Sequence, residues 1–137
     1  MKNCLFLLAS LIFAPILGQK PSSSTPAKNT KPGILYGTAS YYADKFQGRP
    51  TASGQPYDKN KMTCACNKLP LGTWIRVTNL KNKKQVVVKI IDRLHYKNER
   101  LVDLSRAAAS KLGYLGSGLT RVKVEKMPPP AKKQQKK

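Results

Sequence analysis

Acidic side chains are scarce in this chain, so each one that could transfer a proton can be considered individually. The sequence holds 26 Lys and Arg against 6 Asp and Glu. Asp92 is the strongest candidate for general acid–base chemistry, because it follows a β-branched run at 86–91 and a strand end holds a catalytic group rigidly. A structural contact with Arg93 or with the backbone is the alternative for this carboxylate.

The other acids have simpler interpretations. Asp58 lies in a polar loop, where an Asx turn with Asn60 is the alternative to a chemical role. Asp103 precedes a helical stretch and is interpreted as a helix cap. The remaining acids are expected to be solvated surface charges or to end a strand: Asp44, Glu99 and Glu125.

Aromatic and cationic side chains suggest recognition of a carbohydrate or of an acidic group. Five amphipathic rings could stack on sugar faces while their polar ends stay hydrated: Tyr41, Tyr42, Tyr57, Trp74 and Tyr96. For Trp74, which lies within a predicted strand, core packing is the alternative. Four arginines could pair with carboxylates, with simple surface exposure as the alternative for each: Arg49, Arg76, Arg93 and Arg100.

Cysteine and histidine usage argues against a metal site. Cys4 lies in a predicted leader, which leaves Cys64 and Cys66 in a C-x-C pair. A disulfide across so short a loop needs a bent backbone, so a labile disulfide and two free thiols both stay open. The single histidine, His95, adds too few ligands for a zinc site. We therefore predict no structural metal and no cofactor.

The elements that must position these groups are mostly short strands. Strands are predicted at 34–42, 74–78, 85–91 and 119–125, with 79–84 as a hairpin connection and 43–60 as a long polar loop. Gly37 indicates a bulge or a close backbone approach. One short helix begins after Asp103 or Ser105 and ends before Gly113. Many short strands with one helix favour an all-β small barrel.

Both flanks of this barrel differ from it in composition. Residues 1–18 are typical of a secretory signal peptide, and they are too short to be a good membrane span. Residues 19–33 predict a disordered Lys, Pro and Ser linker, and 127–137 a disordered Pro and Lys tail. The folded domain is therefore predicted at 34–126. Cys4 precedes the apolar stretch instead of following it, so we expect an exported protein without a lipid anchor.

The charge of the chain indicates anionic partners. At a formal net charge of +20, the protein should be drawn to polyanions. Export to the periplasm, the cell envelope or the extracellular space excludes nucleic acid and favours anionic envelope polymers, which the Lys-rich tail would contact. Mere solubility is the alternative explanation of this charge. We expect a monomer with no transmembrane segment in the mature chain.

The order of four motifs resembles the rare lipoprotein A (RlpA) family of double-psi β-barrels, and more distantly the plant expansin barrel. The motifs are Gly37–Tyr42, Thr51–Asp58, Leu69–Thr73 and Asp103–Ala109. The resemblance implies a six-stranded double-psi β-barrel with one short α-helix. It also implies an endolytic peptidoglycan transglycosylase that cleaves glycan strands in the cell envelope, including those that lack stem peptides.

The same resemblance assigns roles to individual residues. Asp92 carries over as the acid and then the base, with Asp58 assisting. Gln55 stands where the family usually has Glu, and Cys66 where it usually has His, so their proton-transfer roles do not carry over. The expected substrate-binding residues are Gln55, Cys66, Tyr42, Tyr57 and Arg93. The alternatives are a glycan-binding barrel that no longer cleaves and a structural barrel tethered to the envelope by its lysine tails.

Overall fold

The computed structural model describes residues 33–131 together with Gly18 and Lys31. Apart from those two residues, the predicted signal peptide and linker lie outside the described residues up to position 32, as does the end of the Lys-rich tail at 132–137. Within the described part, the strands are β1 (Ile34–Tyr41), β2 (Thr63–Cys66), β3 (Trp74–Asn79), β4 (Gln85–Asp92), β5 (Val102–Leu104) and β6 (Thr120–Met127). The α-helix is α1 (Arg106–Leu112), and Asp44–Phe46 forms a 3-10 helix.

The six strands close into a barrel in the order β1-β5-β2-β4-β3-β6. The pairs β1–β5 and β2–β4 are parallel, and the other neighbouring pairs are antiparallel. The prediction of a small six-stranded barrel with one short α-helix is confirmed. Among the described residues, no helix reaches the length and apolarity needed to cross a bilayer.

Side chains that alternate along the strands fill the barrel. In β4, Val86, Val88 and Ile90 are buried whereas Val87 is 38% exposed, as a period of two requires. The antiparallel pairing of β3 with β4 confirms the predicted hairpin. β3 and β4 are each one residue longer than predicted, and Asp92 is itself the last residue of β4. β1 ends one residue earlier than predicted, and β6 begins one residue later and ends two residues later.

Gly37 lies in a closely packed part of β1. A Cβ atom at this position would lie 2.6 Å from the Cβ of Leu101, which is closer than two such carbons can approach. Of the two alternatives predicted for Gly37, a bulge is absent from its register with β6, and the close neighbour of the backbone is the Leu101 side chain. This close approach allows the segment just before β5 to pack against β1, where Leu101 N–H donates to the carbonyl of Thr38.

The helix cap is Ser105, not Asp103. Ser105 Oγ accepts a hydrogen bond from the N–H of Ala108, and Gly113 ends the helix with a φ of 75°. Asp103 lies within β5 and is only 7% exposed. The interpretation of Asp103 as a cap was wrong, because a partner from the preceding loop, Arg100, holds its carboxylate.

The first and last strands close the barrel against each other. β6 pairs with β1 in an antiparallel register from Ile34↔Glu125 to Ala39↔Thr120. The start of β1 and the end of β6 therefore lie side by side. The opposite end of β1 is Tyr41, which leads into the loop that covers the site described next.

Candidate active site

A cavity of about 560 Å³ opens where the last residue of β1, Tyr41, and the last residue of β4, Asp92, come together. Two loops complete it, one following β1 and one following β4. The side chains that matter for its chemistry are Tyr42, Tyr57, Asp92, Arg93, His95 and Arg100. Of the seven sequence-predicted site residues, the structure brings four to this cavity: Asp92, Tyr42, Tyr57 and Arg93.

The Asp92 carboxylate accepts three hydrogen bonds. Tyr42 Oη donates to Oδ2 at 2.6 Å, while the backbone N–H groups of Ala52 and Arg93 donate to Oδ1 at 2.9 and 2.8 Å. All three partners donate, which matches the acceptor-only oxygens of a carboxylate and fixes the orientation of the side chain. Among the described residues, no Lys or Arg forms an ion pair with it. Of the two structural contacts considered for Asp92, the backbone contact is therefore present and the guanidinium pair is not.

The Arg93 guanidinium is directed to the chain's own carbonyl groups. Its Nη1 donates to the carbonyl oxygen of Cys66, and to that of Leu69 at 2.6 Å. These bonds fasten the segment between β2 and β3 to the end of β4. Although Arg93 lines the cavity, its Nη1 is engaged in these structural hydrogen bonds.

Tyr42 is held in place by Tyr57. The two rings meet edge to face, with centroids 4.3 Å apart and an interplanar angle of 83°. Tyr57 is 2% exposed, and its Oη accepts the N–H of Arg106 at 3.2 Å. Burial, and then the hydrogen bond to Asp92, raise the pKa of Tyr42 far above its ordinary value. Burial also raises the pKa of Tyr57, so both phenols stay protonated at neutral pH.

A second carboxylate lines the cavity but is already neutralised. Asp103 Oδ1 and Oδ2 accept from Nε and Nη2 of Arg100 at 2.8 and 2.9 Å, a bidentate pair. The hydrogen bond to Asp103 raises the pKa of Arg100 further above its usual value. Asp92 is thus the one acid lining this cavity whose carboxylate is free of an ion pair in the described structure.

In the loop after β4, sequence reasoning named Tyr96 as a possible sugar-stacking ring but missed His95 as a site residue. His95 lines the cavity and is exposed, and its ring stacks on Tyr96 with centroids 4.5 Å apart and an interplanar angle of 30°. Tyr96 is 80% exposed. The signal was available, since His95 is the only histidine of the chain and stands three positions after Asp92, but it was weighed only as a zinc ligand.

The other three predicted site residues lie elsewhere. The side chain of Asp58 accepts the N–H of Asn60 at 2.9 Å, which is the Asx turn considered as its alternative. Gln55 is exposed and lines a second cavity of about 450 Å³ with Ser53 and Leu71. Cys66 is 0% exposed in β2. None of the three lines the cavity of Asp92.

Cys64 and Cys66 are both free thiols in the core of the barrel. Burial raises the pKa of the Cys64 thiol well above its ordinary value, with smaller contributions from Cys66 and Asp103. Across residues 33–131, no group of three His, Cys, Asp or Glu side chains is arranged to hold a metal ion.

Comparison with known proteins identifies a matching family and several named relatives. Residues 35–124 match the family described as lytic transglycolase. The endolytic peptidoglycan transglycosylase RlpA of Pseudomonas aeruginosa (strain UCBPP-PA14) is 47% identical over 104 residues, covering 76% of this chain and 30% of that protein. The protein of the same name from Pasteurella multocida is 51% identical over 89 residues, covering 65% of this chain and 30% of that protein. The chain thus spans about a third of the length of these relatives.

A solved structure shows a similar barrel. The apo expansin of Clavibacter michiganensis is 25% identical with a TM-score of 0.57, over 72% of this chain and 52% of that chain.

Proposed function

Since the chain belongs to the lytic transglycolase family, whose matched region contains the whole cavity of Asp92, we propose that it cleaves the glycan strands of peptidoglycan as an endolytic transglycosylase. The observation that carries this proposal is the Asp92 carboxylate, held by three donors beside an open cavity. The relatives that bear this activity in their names support the same reaction.

The reaction needs two proton movements. The bond between the anomeric carbon of one sugar and the oxygen of the next breaks, and that oxygen gains a proton. A hydroxyl of the first sugar loses its proton as its oxygen bonds to the anomeric carbon, which gives an anhydro sugar without consuming water. Asp92 in its protonated form would give its proton to the leaving oxygen, and the carboxylate so formed would take the proton of the attacking hydroxyl, which restores the acid for the next cycle.

The residues next to Asp92 orient its carboxylate. Tyr42 stays protonated and donates to Oδ2, and Tyr57 packs behind the Tyr42 ring. Preorganised donors of this kind keep the catalytic oxygen in place before the substrate arrives. Asp58, fixed in its own turn, keeps at most the assisting role predicted for it.

The chain's charge supports an acidic polymer as substrate. A formal net charge of +20 attracts a wall polymer that carries carboxylates, and it raises the encounter rate more than the final affinity. We place the protein in the envelope, exported by residues 1–18 and tethered to anionic polymers through its lysine tail. The predicted folded unit, 34–126, is extended by one residue to the end of β6 at Met127.

A second candidate function is a glycan-binding barrel that does not cleave. It is favoured by Gln55 and Cys66, because the first cannot exchange a proton near neutral pH and the second has no exposed surface. In this case the cavity would hold a strand without breaking it.

Digestion of purified material separates the two candidates. The full chain is incubated with sacculi and with peptide-free glycan strands, and the soluble products are analysed by mass spectrometry. Anhydro-sugar ends are the expected result. Retention of the protein on sacculi without any anhydro product would reject cleavage and favour the binding function.

A further inference from the structure

The loop after β4 leaves an aromatic ring uncovered at the rim of the cavity. Tyr96 is 80% exposed, more than any other large hydrophobic side chain of the described residues. Its neighbour His95 lines the cavity that contains Asp92, and the two rings stack. A ring that stacks on a cavity-lining partner and keeps its other face free is placed to contact a ligand that extends out of the cavity.

The stack between His95 and Tyr96 and two hydrogen bonds of His95 hold the loop in place. His95 Nδ1 accepts the backbone N–H of Lys97 at 3.2 Å, and Asn98 N–H donates to the His95 carbonyl at 2.8 Å. In the neutral imidazole the other nitrogen, Nε2, then carries the hydrogen. The loop therefore offers one hydrogen-bond donor and one aromatic face side by side. Lys97 Nζ lies 5.7 Å from the centroid of the Tyr96 ring and adds positive charge.

Cleavage within a strand requires sugars on both sides of the broken bond. The sugars that flank the reacting pair must cross the rim as the strand leaves the cavity. An aromatic ring on the rim therefore contacts interior sugars of the strand and not its terminal sugar. A pyranose has one face of C–H groups, which stacks on a tyrosine, and equatorial oxygens, which accept from an N–H donor.

We propose that His95 and Tyr96 form a sugar-binding subsite for the glycan strand next to Asp92, in which Tyr96 stacks on a pyranose and His95 Nε2 donates to one of its oxygens. The inference rests on the proposed function, since the occupant is the strand that the cavity cleaves. The ligand that this loop would bind is a neutral sugar ring of the glycan and not a peptide stem.

Binding and cleavage together test the subsite. Binding of peptide-free glycan strands is measured by titration on the full chain carrying Asp92→Asn, which removes turnover. We expect Tyr96→Ala to weaken binding about tenfold, the size of one lost aromatic contact, and His95→Ala by a smaller factor. Tyr96→Trp should restore most of the loss, because it keeps an aromatic face.

The matched control is Tyr36→Ala. Tyr36 is also an exposed tyrosine, at 47%, but it lies toward the start of β1 and does not line the cavity. With Asp92 intact, Tyr96→Ala should shift the products of digestion to longer strands, whereas Tyr36→Ala should leave their lengths unchanged.

The outcomes separate the two proposals. If the wild type yields anhydro products and Tyr96→Ala behaves like Tyr36→Ala in binding and in product length, the subsite is rejected and the cleavage activity stands. If Tyr96→Ala weakens binding of soluble stem peptides and not of peptide-free strands, the subsite is also rejected. If the wild type neither binds nor cleaves glycan strands, both proposals fail.

Discussion

Tyr42 Oη lies 2.6 Å from Asp92 Oδ2, across a separation of 50 positions in the sequence. The contact joins the segment that follows β1 to the last residue of β4. Because burial keeps the Tyr42 phenol protonated, the phenol donates this bond and the Asp92 carboxylate accepts it. This contact fixes the orientation of the one acid lining the cavity that no ion pair neutralises within the described structure.

Replacement of Asp92 tests the catalytic assignment. Asp92→Asn keeps the shape and some hydrogen bonds of the side chain but removes its ability to take a proton. We expect the rate of anhydro-product release to fall by about 10²- to 10⁴-fold, the usual contribution of a general acid or base. The rate is measured by mass spectrometry on peptide-free glycan strands.

Asp58→Asn is the control for that substitution. Asparagine also forms an Asx turn, so the bond to Asn60 N–H is retained. Because Asp58 does not line the cavity of Asp92, the rate should fall far less than the roughly 10²-fold expected for a lost general acid or base, and a loss of that size would instead support its assisting role. Equal losses in the two variants would show that Asp92 has no special role.

Tyr42→Phe should alter the dependence of stability on pH. The pKa of Tyr42 is higher in the folded state than in the unfolded state, where it is about 10. Its contribution to stability is therefore fully present below pH 10 and is lost as the pH rises above that value. The wild type should therefore lose more free energy of unfolding between pH 8 and 11 than Tyr42→Phe. Urea unfolding at several pH values measures this difference.

At pH 8 the same variant leaves Asp92 Oδ2 without its donor. We expect the free energy of unfolding to fall by about 1 kcal/mol, typical for one lost hydrogen bond. Tyr36→Phe, on the exposed side of β1, should match the wild type at both pH values. An unchanged pH dependence in Tyr42→Phe would contradict the burial of this phenol.

Gly37→Ala should destabilise the barrel. The added Cβ would lie 2.6 Å from Leu101 Cβ, an atom fixed to the backbone, so β1 or the segment before β5 must shift. The expected loss in free energy of unfolding is about 1–3 kcal/mol, the usual cost of overpacking. Gly116→Ala has no heavy atom within 4 Å of the new Cβ and serves as the control in thermal and urea unfolding. Equal stability of the two variants would rule out a steric role for Gly37.

Arg93→Ala should loosen the connection between β2 and β3. The change removes the donor to the carbonyl oxygens of Cys66 and Leu69. We expect a loss of about 1–3 kcal/mol from groups left without partners, and faster amide hydrogen exchange at 67–72. Arg76→Ala provides the control, since the Arg76 side chain forms no ion pair within residues 33–131. A loss of glycan binding with unchanged stability would instead support the direct substrate contact predicted from the sequence.

The sequence was most informative where the signal is local. The alternation of Val86, Val88 and Ile90 defines β4, and its end places Asp92 at a rigid position. The resemblance in four motifs was enough for the closed barrel with one helix, because those motifs specify a topology that periodicity alone does not. Gly37 was informative by itself, because a glycine within a strand often marks a bulge or a close approach of another part of the chain.

What could not be predicted depends on contacts between distant loops. Asp103 precedes a helix and matches a cap by local rules, yet its carboxylate pairs with Arg100. The N–H of Ala52 reaches Asp92 from 40 positions away, which draws the loop after β1 over the site and leaves Gln55 facing a separate cavity. Spacing along the chain contains no information about such folding of one loop onto another.

The antiparallel closure of β6 on β1 has a practical consequence for attachment. Ile34 and Glu125 are paired, so whatever precedes or follows the barrel departs from the end of β1 that is farthest from Tyr41. Eight residues of strand, roughly 25 Å, separate that exit from the cavity. A linker, surface anchor or fused module on either side would therefore attach at the end of the barrel opposite the cavity of Asp92, which would leave that cavity accessible to a long polymer.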